Sequence, residues 1–154
     1  MKRIQSGFTL LELVIVIGVI GVLVGISGLG AFVASQQRSR DARRKADIET
    51  FRQALELYRS TNGRYPVYTG STVSGALYNA LTAGAGGPYL NTTSYPRDPQ
   101  TTKNYYYYSV GVAATYNICA LLERPGAGEP ACAAPADDCN SVGTTSCNYG
   151  QTQP

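Results

Sequence analysis

An almost unbroken run of apolar residues, Gly7–Ala34, is the feature that most constrains the fold of this chain. As an α-helix, residues 8–34 would be about 40 Å long, which exceeds the hydrocarbon thickness of about 30 Å that a membrane-spanning helix must cross. A secretory signal peptide has an apolar stretch of only about 7–15 residues, followed by a small-residue cleavage site. This run is longer and leads directly into a charged segment. It therefore predicts a transmembrane helix over residues 8–34.

The apolar run contains one charged residue, Glu12, and no Lys, Arg or His occurs between Gly7 and Gln37. An acidic residue costs about 2.5–3.5 kcal/mol at the centre of a spanning helix, and ionisable residues there usually have a function. Hydrolysis of the Gly7–Phe8 bond would create an α-amino group four residues before Glu12, on the same helix face and about 6 Å away along the axis. Such a cut would supply a cation for Glu12, on this chain or on an identical neighbour.

The residues around this position, Lys2–Gly7 followed by Phe8-Thr-Leu-Leu-Glu12, resemble the leader region of type IV pilins and type II secretion pseudopilins. The shared features are a basic leader, a glycine at the cut, an aromatic residue after it and the glutamate. The resemblance implies that a prepilin peptidase and N-methyltransferase removes residues 1–7 and methylates the amine of Phe8. It also implies that Glu12 pairs with a Phe8 amine during assembly, and that an assembly platform builds the subunits into a homopolymer.

Three glycines, Gly18, Gly21 and Gly25, lie in the middle of the apolar run. Glycine inside a helix costs about 1 kcal/mol relative to alanine in water, but small residues four apart allow helices to approach closely. We expect these glycines to serve helix packing in a filament core; the alternative is that glycine is simply common in spanning helices. Pilins often carry a proline in this region, whereas the first proline after the leader is Pro66.

The helix is expected to continue over residues 35–62 as an amphipathic segment and to stop at Asn62-Gly63. Its apolar residues step by three and four and form a single stripe that needs a cover: Ile48, Phe51, Ala54, Leu55 and Tyr58. We predict one helix from about Phe8 to about Ser60.

Five basic residues follow the apolar run: Arg38, Arg40, Arg43, Arg44 and Lys45. We expect them to face lipid headgroups or to form intersubunit salt bridges. Nucleic acid is disfavoured as a partner because no aromatic residues alternate with the cluster. Removal of Lys2 and Arg3 also lowers the basic count from 13 to 11 against 10 acidic residues, which leaves a nearly neutral chain.

Residues 63–154 are expected to form the head of the subunit. Tyr105–Val112 and Thr115–Leu122 read as a β-hairpin, and Leu77, Ala80 and Leu81 indicate one short helix. The Tyr95–Pro99 segment resembles the proline-aspartate-proline turn of major pseudopilins. The predicted fold class is α+β, with a long N-terminal α-helix and a small antiparallel β-sheet packed on its C-terminal half.

The four cysteines are Cys119, Cys132, Cys139 and Cys147. An even count in a domain outside the membrane indicates two disulfides, and four cysteines allow three pairings. We favour Cys119–Cys147 with Cys132–Cys139, because this pairing would tie the tail to the strand. Zinc is disfavoured because the chain has neither a C-x-x-C motif nor a histidine.

No enzymatic activity, cofactor or metal site is expected, because the chain has no histidine, nucleophile motif or phosphate-binding loop. Asp137-Asp138 supplies oxygen ligands for calcium, but two adjacent acids are weak support. Secretion pseudopilins typically bind calcium in an Asp- and Gly-bearing loop after the hairpin. The corresponding segment here, Tyr116–Glu123, contains neither residue type.

This departure favours a type IV pilus subunit that supports adhesion, motility or DNA uptake. The first alternative is the major pseudopilin of a type II secretion system, and the second is a membrane-anchored binding module such as a minor adhesin or DNA-uptake pilin. A pilus subunit would begin as a single-pass precursor in the cytoplasmic membrane, with its N-terminus in the cytoplasm and its head outside. It would end in an extracellular filament.

Overall fold

The structure is a computed structural model that describes residues 7–68, 71–72, 75–84, 86–110, 114–132, 139 and 146–153. In chain order the elements are helix α1 (Leu10–Asn62), strand β1 (Ser71–Thr72), helix α2 (Ala76–Ala83), a 3₁₀ turn (Thr92–Ser94), and strands β2 (Tyr106–Val110), β3 (Thr115–Ala120) and β4 (Tyr149–Gln153). The leader residues 1–6, most of the expected hairpin turn and the Asp137-Asp138 pair lie outside the described residues.

The chain divides into two compact units, Met1–Gln37 and Arg38–Pro154. In the first unit, large apolar side chains of α1 such as Leu13, Ile17 and Val24 are exposed. Within the part of the chain that the structure describes, no helix is both long enough and apolar enough to cross a membrane.

The C-terminal end of α1 is close to the predicted position. Gly63 adopts a left-handed backbone with φ 72°, and its N–H donates to the carbonyl of Arg59 over 2.8 Å. Glycine takes this conformation without a steric penalty, and Pro66 three residues later cannot continue the helix. The prediction of one helix from about Phe8 to about Ser60 is confirmed to within two residues at each end.

The four strands form one antiparallel sheet in the order β1-β2-β3-β4. The hairpin of β2 and β3 is confirmed, with Tyr107 opposite Ile118; β2 begins one residue later than predicted, and β3 ends two residues earlier. Strand β4 was not predicted individually. It pairs with β3 and places Gly150 opposite Cys119. Because β4 reads Tyr-Gly-Gln-Thr-Gln, it lacks the apolar alternation that marks a strand in sequence.

The core of the second unit lies between the apolar stripe of α1 and the inner face of the sheet. Ile48, Phe51 and Leu55 are fully buried in one cluster with residues of β3 and of α2. The Phe51 and Tyr105 rings meet edge to face, with centroids 5.8 Å apart. Of the four consecutive tyrosines, Tyr105 and Tyr107 are buried and the two between and after them are half-buried, as strand alternation requires. The α+β prediction is thus confirmed.

Candidate functional site

The bond predicted to be cut, Gly7–Phe8, lies outside α1, and both residues are exposed. The helix begins at Leu10 because Thr9 caps it. The Thr9 hydroxyl oxygen accepts from the Glu12 N–H over 3.3 Å, and the Thr9 carbonyl accepts from the Leu13 N–H over 3.2 Å. A threonine at this position satisfies a backbone donor that would otherwise have no partner in the first turn.

Glu12 occupies the third helical position after this cap, which is the glutamate position of the Thr-x-x-Glu capping box. Its carboxylate is exposed and makes no hydrogen bond or ion pair with any residue that the structure describes. Sequence reasoning missed the cap, although the Thr9-to-Glu12 spacing signals it. The pairing of Glu12 with a Phe8 amine stays a prediction.

The backbone at the three glycines proposed for helix packing is not covered by other parts of the described chain. Apart from the adjoining residues and the local backbone of the helix itself, no atom lies within 4 Å of the position that a Cβ would occupy at Gly18, Gly21 or Gly25. Apolar neighbours such as Val14 and Val22 are exposed as well. This surface of α1 can accept a second helix at short distance, and its role in packing stays a prediction.

The basic cluster after the apolar run is largely paired within the head, which corrects the expectation that the whole cluster faces lipid or other subunits. Arg40 and Arg44 pair with carboxylates of the head, and Lys45 forms an ion pair with Glu129. Arg38 and Arg43 are exposed and form no salt bridge with the described residues. Only these two members of the cluster remain available to lipid headgroups or neighbouring subunits.

Arg44 is the centre of this network, and its side chain is fully buried. Its guanidinium donates to both carboxylate oxygens of Asp98 over 2.8 and 2.9 Å, and to Asp41 over 2.8 Å. It also donates to Glu123 and to the side-chain oxygen of Gln100, each over 3.0 Å. Burial alone would lower the pKa of Arg44, but hydrogen bonds to Asp98 and Glu123 raise it on balance. The arginine is therefore buried as a cation.

Two further contacts close the network around the segment that follows β3. Arg40 donates two hydrogen bonds of 2.7 Å to the two carboxylate oxygens of Glu123. Asp41 accepts from the backbone N–H groups of Glu123 and Arg124 over 2.9 and 2.8 Å. We call this set of residues the Arg44 junction: Arg40, Asp41, Arg44, Asp98, Gln100 and Glu123. It joins α1, the Tyr95–Pro99 turn and the segment after β3.

The Arg44 junction predicts a specific loss of stability in acid. The Arg40 guanidinium, opposed by partial burial and assisted by Arg44, lowers the pKa of Glu123 to about 2. Because this value is below the pKa of about 4.3 for an unfolded glutamate, Glu123 stabilises the fold above that pH, and its contribution is lost as the pH falls through about 2. The melting temperature of the wild-type chain should therefore fall more steeply between pH 4.5 and pH 2 than the melting temperature of Glu123→Gln. Equal slopes would contradict the assignment.

The disulfides are Cys119–Cys132 and Cys139–Cys147, with Cα atoms 5.6 and 5.3 Å apart. Two bridges were predicted, but the favoured pairing is wrong. Because Cys119 lies opposite Gly150, Cys147 is three residues before the residue that faces Cys119, or about 10 Å along an extended chain, which is beyond the reach of a disulfide. Cys132 reaches Cys119 instead, because the Pro130 carbonyl accepts from the Gly150 N–H and brings this segment alongside β4.

The calcium site that the resemblance implies after the hairpin does not fit the residues that the structure describes in that region. The carboxylates near that segment, Asp41, Asp98 and Glu123, already accept from guanidinium or backbone N–H donors. Among the described residues, no group of three or more His, Cys, Asp or Glu side chains is placed to hold a metal ion.

Two family models match the chain. A model described as "Type II secretion system (T2SS), protein G" covers residues 31–130, and one described as "Prokaryotic N-terminal methylation motif" covers residues 2–28. Both descriptions support the resemblance found in the sequence. The first of them favours the secretion pseudopilin over the type IV pilus subunit that the sequence analysis ranked first.

Curated relatives agree with this assignment. The "Type II secretion system core protein G" of Aeromonas hydrophila is 35% identical over 65 residues, which cover 42% of this chain and 45% of the relative. The protein with the same description from Dickeya chrysanthemi is 33% identical over 66 residues, which cover 43% of this chain and 42% of the relative. That from Pectobacterium carotovorum subsp. carotovorum is 34% identical over 62 residues, which cover 40% of this chain and 39% of the relative. The matched segment thus spans less than half of each relative's length.

No solved structure matches the chain. The family and relatives are described as components of a secretion system, which supports the expectation that the chain is not an enzyme. Since the protein G model covers residues 31–130 and the methylation motif covers the segment before it, the chain belongs to the family of the type II secretion system protein G.

Proposed function

We propose that this chain is the precursor of a major pseudopilin, which polymerises into the filament of a type II secretion system. The observation that carries the proposal is the match of residues 31–130 to the protein G family, together with the methylation motif over residues 2–28. The precursor is cleaved between Gly7 and Phe8 and methylated on the Phe8 amine.

The geometry of the N-terminal unit supports this processing and assembly. The Gly7–Phe8 bond is exposed and lies before the Thr9 cap, so a peptidase can reach it without unwinding a helix. After cleavage, the new amine and the exposed Glu12 carboxylate are the charged groups of an otherwise apolar surface. Burial of that surface against identical helices would remove the apolar side chains from water, with Gly18, Gly21 and Gly25 at the close contacts.

The leader and the apolar run together support a membrane-anchored precursor with its head outside the cytoplasm. Two disulfides within the head are compatible with an oxidising compartment. Arg38 and Arg43, which form no salt bridge with the described residues, would meet anionic headgroups before assembly or carboxylates of neighbouring subunits afterwards. The prepilin peptidase and the assembly platform are the partners that this route requires.

The test is to locate filaments that contain the chain and to measure protein export in cells that lack it. A pseudopilin should be found in short periplasmic filaments, and its deletion should abolish export, with recovery when the wild-type chain is restored. The type IV pilus subunit is the second candidate, favoured by the missing calcium loop. Long surface filaments with normal export in the deletion strain would support that candidate and contradict the pseudopilin.

A further inference from the structure

The Arg44 junction has the arrangement of a cation site whose centre is filled by a side chain of the protein. Asp41, Asp98 and Glu123 belong to three segments that are far apart in sequence, and one oxygen or more of each meets the same guanidinium. These carboxylates are also well shielded, with 7%, 1% and 12% of their side chains exposed. Ionised carboxylates that are brought together in this way repel one another unless a cation lies between them.

Every N–H donor of the Arg44 guanidinium is hydrogen-bonded in this position. An arginine has five N–H donors, and Arg44 makes five hydrogen bonds of 2.8 to 3.0 Å, one for each donor. The five acceptors are carboxylate and amide oxygens, which are the ligand types that calcium takes in proteins. The planar fork of arginine binds Asp98 through two parallel hydrogen bonds, and no donor of the guanidinium is left unsatisfied.

The charges around the Arg44 junction balance without an added ion. Three carboxylates face the two guanidinium groups of Arg40 and Arg44, and Lys103 adds a third positive charge at longer range. A divalent cation at this place would therefore introduce surplus positive charge. It would also have to displace the five hydrogen bonds of Arg44.

We propose that Arg44 is a built-in cation that joins α1, the Tyr95–Pro99 turn and the segment after β3, so that the head keeps its fold without a calcium ion after the hairpin. This is where the resemblance to secretion pseudopilins implies such an ion. The inference concerns folding of the head and does not depend on the proposed function.

The experiment is thermal unfolding of the full-length chain in detergent, with millimolar calcium or with excess chelator. The chain keeps its own Asp137 and Asp138, which are the only acids after Glu129, so that any calcium they bind would show in the comparison. In this chain, Arg44 is compared with Arg44→Lys and Arg44→Met. Arg52→Met is the matched control, since Arg52 is on the same helix but pairs with Glu49 at the exposed surface.

We expect the chain with Arg44 to melt at the same temperature with calcium and with chelator. Arg44→Met should lower the melting temperature by about 10 °C or more, because it leaves buried carboxylates without their cation. Arg44→Lys should recover part of this loss, since it keeps the charge but not the five donors, and Arg52→Met should change the melting temperature by only about 1–2 °C.

Three results would overturn the proposal. The first is a melting temperature of the chain with Arg44 that falls in chelator. The second is a melting temperature of Arg44→Met equal to that of the chain with Arg44. The third is a melting temperature of Arg44→Lys that is no higher than that of Arg44→Met. If Arg44→Met does not fold, the chelator comparison and the Arg44→Lys variant still decide the question.

Discussion

Glu12→Leu is expected to lower the amount of this subunit in filaments by about a hundredfold or more, while its amount in the membrane fraction stays the same. Replacement of a carboxylate by an apolar side chain should not impair insertion into a membrane, and the Gly7–Phe8 bond is unchanged. In the filament, however, the charged Phe8 amine would lose its partner in a low-dielectric core. Breaking one side of a buried pair costs about 3–5 kcal/mol, and each 1.4 kcal/mol is a factor of about ten in an equilibrium constant. Quantitative immunodetection in the two fractions measures the effect.

Glu12→Gln distinguishes the effect of the charge from any effect on the helix cap, because it removes the charge alone. The cap bond to Thr9 uses the backbone N–H of residue 12, and glutamine is also accepted at this position of a capping box, so the start of α1 should not change. Because glutamine carries no charge, we expect Glu12→Gln to be as depleted from filaments as Glu12→Leu. Normal incorporation of Glu12→Gln would mean that assembly does not need the charge of Glu12, which would contradict its pairing with the Phe8 amine.

Gly150→Val is expected to prevent the Cys119–Cys132 disulfide and to destabilise the head by about 2–5 kcal/mol, the range for loss of a native disulfide. A Cβ at Gly150 would lie 2.9 Å from the Cys119 sulfur, 2.9 Å from the Cα of Cys132 and 3.2 Å from the Ile118 carbonyl oxygen. Two of these atoms belong to backbone and the third to the disulfide, so none can move aside easily. Peptide mapping under non-reducing conditions and thermal unfolding of the full chain measure both effects.

A double-mutant comparison shows whether the disulfide is the cause. In a chain that carries Cys119→Ser and Cys132→Ser, the segment around Cys132 is no longer fixed against β4 and can shift away from a valine. Gly150→Val should then cost less than it does in the wild-type background. An intact Cys119–Cys132 bond in Gly150→Val, or equal costs in the two backgrounds, would contradict this explanation.

The parts of the fold that were predictable depend on local patterns. The stripe from Ile48 to Tyr58 is spaced for one helix face, and the stop at Asn62-Gly63 is encoded by neighbouring residues. The alternation over Thr115–Leu122 likewise identifies β3. In each case, the side chains that specify the element lie within a few residues of one another.

The Arg44 junction was missed because its partners are distant in sequence. Arg44 is four residues before Ile48 and Asp41 is three residues before Arg44, so the two continue the buried stripe of α1 by two turns. That spacing was the available signal, but an arginine on such a stripe is expected at the surface unless its partners are known. Asp98 and Glu123 are 54 and 79 residues away.

Strand β4 and the disulfide pairing were missed for the same reason. Nothing in the polar sequence of Tyr149–Gln153 indicates a strand, and its register is set by its pairing with β3. That register places Gly150 next to Cys119 and excludes the pairing with Cys147. Connectivity among four cysteines therefore followed from strand pairing and not from spacing along the chain.

The intact mass of this subunit, isolated from the filaments that contain it, tests the central claim most directly. We expect a mass that lacks residues 1–7 and carries one added methyl group on the Phe8 amine. Fragmentation should place that methyl group on the first residue. A filament subunit that retains Met1–Gly7 would contradict the account, since uncleaved chains have no Phe8 amine to pair with Glu12.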